Sequence, residues 1–181
     1  GEELSLAKAR MSDGVVDLFQ LEAQNLTAIK NASIDIVLCH WALTLMDPIT
    51  PVLKEVNRIL SSGGKFAALV NGPMDTAPGY LDVYNLIYKY VQTKLPNYGK
   101  IDLGDPRIRS TKSLEHLVGE VFPSAEISIE NNVVSLLGPV TEVSETAAGF
   151  FYASFILPTE LRMRMLSDLS KLLSISKQEG R

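Results

Sequence analysis

The sequence predicts an α/β chain: a mostly parallel sheet, helices on both of its faces in three layers, and an antiparallel edge. Three observations carry this. Between Ser33 and Val70 an apolar run, a stretch of helical period and a second apolar run follow one another in under forty residues. Strands joined by a helical crossover must lie parallel and need helices to cover them. The run Ile36-Val37-Leu38-Cys39 is apolar at four successive positions, the pattern of a strand buried on both faces. Further on, "AEISIENNVVSLL" holds two strand-like runs about Asn131-Asn132, which supply the antiparallel edge.

Composition narrows the function. The chain has 181 residues, 46% hydrophobic and 21% charged, with a net charge of -4. A mildly acidic chain without a basic block does not fit nucleic-acid binding. No apolar run approaches the roughly 18 residues of a membrane span. A lone cysteine, Cys39, cannot form an internal disulfide, which fits a reducing, cytoplasmic setting.

Taken in order, Glu2 to Arg10 reads as a helix with Leu4, Leu6 and Ala7 toward one face. "GVVDLFQLEA" follows the turn signal Asp13-Gly14 and reads as a strand. Ser33-Ile34-Asp35 leads into the next strand, Ile36 to Cys39. Thr50 can cap the helix that follows, and Pro51 suits its first turn. Val52, Leu53, Val56, Ile59 and Leu60 recur at helical spacing, and Gly63 or Gly64 can end the helix. Lys65 to Val70 is a third strand. Tyr80 to Lys94 is a helix with Tyr80, Val83, Tyr84, Ile87 and Val91 on one side. A polar loop from Pro96 to Ser110 holds Asp105, Arg107 and Arg109. Lys112 to Phe122 is a short helix, and Leu161, Met165, Leu169 and Leu172 mark a last amphipathic one. No linker divides the chain, so residues 1–181 read as a single domain.

In an open parallel sheet, ligands bind beyond the carboxyl ends of the strands. That selects "LEAQNL", "CHWALTL" and "NGPMDTAPGY". Glu22-Ala23, Ser33-Ile34-Asp35 and Glu55-Val56-Asn57-Arg58-Ile59-Leu60-Ser61-Ser62-Gly63-Gly64 together resemble the class I S-adenosylmethionine-dependent methyltransferases, in their small-molecule branch. The resemblance is strong over residues 15–70 and loose afterwards. It implies a Rossmann-like, doubly wound sheet and methyl transfer to a small-molecule acceptor.

The resemblance also implies roles. Glu22 would accept from the adenine amino group, the Ala23 amide would meet a ring nitrogen, and Gln24 would flank the base. Cys39 and His40 would lie against the methionine and sulfonium part. His40 is also the candidate general base, since imidazole suits proton transfer near neutral pH. Alignment alone can suffice for transfer from a sulfonium. Trp41, Tyr80, Tyr84 and Arg107 are candidates for holding the acceptor, each with an ordinary alternative: a core anchor for Trp41, helix packing for the tyrosines, a solvated loop for Arg107. No residues have metal-ligand spacing.

By this resemblance residues 1–71 form the cofactor side, 72–122 the acceptor side, and 123–181 the C-terminal strands and helix. The family's glycine-rich loop and acidic ribose-binding residue have no counterpart here. The expectation is that the N-terminal strands are absent from this chain and come from an upstream segment or another polypeptide. The alternative is a non-catalytic methyltransferase-like subunit used for assembly.

Overall fold

The computed structural model describes residues 2–11, 16–73, 77–99 and 104–178. Its elements are α1 (Glu2–Arg10), β1 (Ile34–His40), α2 (Thr50–Ile59), β2 (Leu60–Leu69), α3 (Tyr80–Gln92), α4 (Thr111–Val121), α5 (Val140–Gly149) and α6 (Thr159–Gln178), with 3-10 turns at Leu43–Leu45, Pro106–Arg109 and Tyr152–Ile156.

The strand–helix–strand unit forms as expected. β1 and β2 are parallel, in the register Ile36↔Lys65 through His40↔Leu69. Its details differ. Thr50 is the first helical residue, not the cap; Ile49 holds the cap position without a side-chain bond, and Pro51 sits in the first turn. α2 ends at Ile59, before the glycines, when Leu60 turns extended. Gly63 then adopts φ 78°, where the register shifts. Gly64 packs so closely that a β-carbon would stand 2.9 Å from the Ser61 carbonyl oxygen.

Two apolar clusters hold the chain. The first joins Leu43, Ile49, Val52, Leu53 and Val56 to Ile108, Leu117, Val121 and Phe122, with Val37, Cys39 and Phe66 packed against it. It places α2 and α4 on one face of the strands. The second joins Val83, Ile87 and Val91 of α3 to Ala147 and Ala148 of α5 and Met165 and Leu169 of α6. Helices 80–94 and 112–122, expected on one acceptor side, therefore lie in different clusters. The chain moves from the first cluster to the second and back before it finishes.

Three strand expectations are corrected. β1 is covered on one face only: Val37 and Cys39 meet the first cluster, while Ile36 and Leu38 are 61% and 77% exposed. Part of the expected strand over 14–23 lies outside the described residues; 16–21 form no strand. Among the described residues the sheet has two strands. An extended segment without a neighbour has no ladder to close, and alternation by itself cannot provide one. The same reason applies to 126–137, which form no strand, so the antiparallel edge is not present there. Val133, Val134 and Leu137 stand exposed.

Helix α5 was not expected. Its sequence, "VTEVSETAAG", mixes β-branched and small residues, and only Ala147, Ala148 and Ser144 are buried. Helices α2, α3 and α4 bury the residues their apolar periods mark, whereas on α1 Leu6 is exposed, apart from the half-buried Leu4 and Ala7. Ser110 caps α4 by accepting from the Ser113 amide at 3.4 Å.

Candidate active site

The carboxyl end of β1 is shaped by an unusual backbone. Trp41 takes φ 54°, uncommon for a residue with a bulky side chain. Its amide donates to the Leu69 carbonyl at 2.9 Å, and its carbonyl accepts from Thr44 Oγ1 at 2.6 Å. The Trp41 ring lies 4.7 Å from that of His40 and meets Phe150 edge-on at 5.9 Å. Beside it opens a groove of about 380 Å³ lined by Trp41, Thr146, Gly149, Phe150, Tyr152 and Phe155. No charged residue lines it, and all four aromatic rings keep much of their surface exposed.

Residues 150 and 151 point to different aromatic groups. Phe150 meets Trp41, whereas Phe151 lies 5.8 Å from Tyr80 and 6.1 Å from Tyr84. Tyr84 stacks on Tyr88 at 3.9 Å, and Tyr88 contacts Tyr98. Burial pushes the Tyr80 and Tyr88 hydroxyls above the ordinary phenol range. Tyr80 and Tyr84 thus belong to a ladder of rings along α3, next in sequence contact to the groove.

Glu22 and Asn25 pair across a tight turn with Ala23 and Gln24 at its centre. The Asn25 amide donates to the Glu22 carbonyl at 2.8 Å. Gln24 Nε2 donates to Glu22 Oε2 at 3.2 Å. Ala23 packs on the first cluster, the cluster that Cys39 also meets. The exposed Glu22 carboxylate keeps acceptor positions for a further donor, so this turn fits an exocyclic amine.

The expectations for Cys39, His40 and Arg107 change. Successive strand residues face opposite ways. Cys39 faces the first cluster and His40 is exposed, so the pair does not line one surface. Arg107 is engaged by Asp105 through both carboxylate oxygens and by Thr50 Oγ1 at 3.2 Å. It ties its loop to the start of α2.

The sequence reading missed Phe150, Tyr152 and Phe155. Their signal was the apolar run Phe150 to Leu157, which spacing alone could not attach to the end of β1. Among the described residues no three His, Cys, Asp or Glu side chains gather to hold a metal ion. No helix among them is long and apolar enough to cross a membrane.

Residues 1–68 match the family model described as a methyltransferase domain. The match runs through α1, β1 and α2 and ends inside β2, so it covers a little over a third of the chain. No curated protein matches the chain, and no solved structure does. Over residues 1–68 the chain is thus similar to a methyltransferase domain.

Proposed function

We propose that this chain contributes to methyl transfer from S-adenosylmethionine to a small, largely apolar acceptor. One observation carries the reading: an aromatic groove whose lining holds no charged residue opens beside Trp41, at the carboxyl end of a strand within the matched segment, with the Arg162 guanidinium 5.8 Å from the Phe155 ring of its wall. Ligands of parallel sheets bind at that end. The Glu22 carboxylate and the Ala23 amide would hold the adenine. The donor, when bound, supplies an electrophilic methyl on its sulfonium. Trp41, Phe150, Tyr152 and Phe155 would hold the acceptor flat and exclude water around it, so that alignment does most of the work. His40 stands at the groove's edge as the residue able to take an acceptor proton.

The intact fold in this reading is a Rossmann-like, doubly wound sheet. A further parallel strand would then pair with the open edge of β1, and helices on the second face would cover Ile36 and Leu38.

Calorimetry with S-adenosylhomocysteine tests the reading. Glu22→Ala should weaken binding by about 2- to 12-fold, the value of one lost hydrogen bond. Unchanged affinity would remove Glu22 from the site. A folded chain that binds the ligand yet transfers no methyl group to any acceptor would point to an assembly role instead.

A further inference from the structure

Helix α2 carries Glu55 and Arg58 one turn apart. The Glu55 carboxylate accepts from Arg58 Nε at 2.8 Å and from a terminal guanidinium nitrogen at 2.8 Å. Arg58 also donates to the Leu26 carbonyl at 2.9 Å, the Ile29 carbonyl at 3.0 Å and Asn31 Oδ1 at 2.6 Å. A guanidinium has five N–H donors. Here each has an acceptor, two on Glu55 and three on residues 26–31.

Glu55 completes the arrangement. Its Oε2 accepts from the Leu26 amide at 2.8 Å. Both backbone groups of Leu26 are therefore held by one ion pair. Leu26 directly follows the Glu22–Asn25 turn. On the far side, the Ala32 amide donates to the Arg58 carbonyl at 2.9 Å and the Ser33 amide to the Ile59 carbonyl at 2.8 Å. The loop between the turn and β1 is fastened at both ends to the last turns of α2. Arg58 and the Leu26 amide hold the Glu55 carboxyl down at about 2, so the pair stays charged across the neutral and mildly acidic range.

We infer that Glu55 and Arg58 are positioning residues for donor binding: they fix the Glu22–Asn25 turn against α2 and thereby set affinity for the adenine end of the cofactor. This rests on the reading of that turn as the adenine site. Neither side chain needs to touch the cofactor. The demand is for a planar fork with five donors. A lysine ammonium carries three donors at one point and cannot span Glu55, Leu26, Ile29 and Asn31 together. Lysine therefore keeps the charge and loses the function, which separates positioning from simple charge balance.

The experiment measures binding of S-adenosylhomocysteine and of adenosine to the full chain by calorimetry, with Arg58→Lys, Asn31→Ala and Glu22→Ala. Thermal melting confirms that each variant is folded. Arg58→Lys should weaken both ligands by the same factor, about 5-fold or more, because only the adenine end is disturbed. In turnover, KM for the donor should rise while kcat and KM for the acceptor stay within about twofold. Asn31→Ala removes one of the five acceptors and should cost about 2-fold, which keeps the test alive if Arg58→Lys fails to fold. A loss with Glu22→Ala but none with Arg58→Lys or Asn31→Ala overturns the positioning role and leaves the adenine site standing. No loss with Glu22→Ala overturns the adenine site and this inference with it.

Discussion

The Arg107 guanidinium donates to both oxygens of the Asp105 carboxylate, Nε to Oδ1 at 2.9 Å and a terminal nitrogen to Oδ2 at 2.6 Å. The pair is lopsided. Asp105 is 5% exposed, while the Arg107 side chain is 44% exposed. The arginine could return to water without its partner, but the carboxylate could not. Asp105 also accepts from the Arg107 amide at 3.1 Å, and its own amide donates to the Met46 carbonyl at 2.9 Å.

Arg107→Ala should therefore destabilise the fold at pH 7 by about 1–3 kcal/mol, the cost of leaving a buried acceptor underpaired. The pH dependence has a definite sign. Arg107 and the backbone amides hold the Asp105 carboxyl down at about 2, against an ordinary 3.8. A depressed carboxyl contributes stability above its unfolded value and loses it as pH falls through the folded one. The gap between the parent and Arg107→Ala should shrink between pH 4 and 2. Urea melts across that range would show it, and a constant gap would sink the account.

Each apolar cluster should respond to its own truncation. Leu53 in the first and Ile87 in the second are fully buried. Their replacement by alanine should cost about 2–5 kcal/mol each. Native-state hydrogen exchange should locate the effects: faster around α2 and β1 for Leu53→Ala, faster around α3 and α6 for Ile87→Ala. Identical exchange patterns would mean the two clusters open as one.

The open edge of β1 can be read from two neighbouring amides. Consecutive amides in a strand point to opposite edges. With β2 as the neighbour, only one of Val37 and Leu38 has a ladder partner, so one should exchange slowly and the other fast. If a further parallel strand docks, both become slow. Two fast amides would contradict the β1–β2 register itself.

Two backbone positions should respond in opposite directions. Gly104 has φ 74°, and a β-carbon there would run into the Thr44 carbonyl. Gly104→Ala should cost about 1–3 kcal/mol. Ala32 has φ 49°, where a β-carbon is already strained. Ala32→Gly keeps its amide bond to Arg58 and should be neutral or stabilising by up to about 1 kcal/mol. Denaturant midpoints check both.

Trp41 is the chain's one tryptophan, so its emission reports directly on the groove. Phe150→Ala removes the ring that meets it edge-on, and the emission should shift to longer wavelength as water replaces the ring. An unchanged spectrum would show that the groove's wall does not form in solution.

Much of the fold was legible because helices declare themselves locally. Val52, Leu53, Val56 and Ile59 repeat at the helical period and all are buried on α2. The segments 16–21 and 126–137 form no strand because alternation records only a readiness to pair. The pairing needs a neighbour that sequence does not name. At the site, the sequence places Glu22 and Ala23 together, and they share one tight turn; Cys39 and His40 are neighbours in sequence, but strand alternation turns them to opposite faces. Arg107 lay in the sequence two residues after Asp105, and that spacing was the available sign that its charge was already engaged. Phe150 and Phe155 reach Trp41's groove only through the chain's return after α5, which no local pattern encodes.

The two clusters are interleaved along the chain, and this separates inheritance from foldability. The segment matched to the methyltransferase domain stops at residue 68, yet Leu53 and Val56 within it share their cluster with Ile108, Leu117, Val121 and Phe122. A protein cut after β2 would carry every matched residue and lose a wall of its own interior. The smallest piece that can keep the first cluster whole must extend through Phe122, and so must carry α3 across the gap without α5 and α6 to shield Val83, Ile87 and Val91. Trimming guided by the family boundary alone would leave Leu53 and Val56 without the Ile108, Leu117, Val121 and Phe122 side of their cluster.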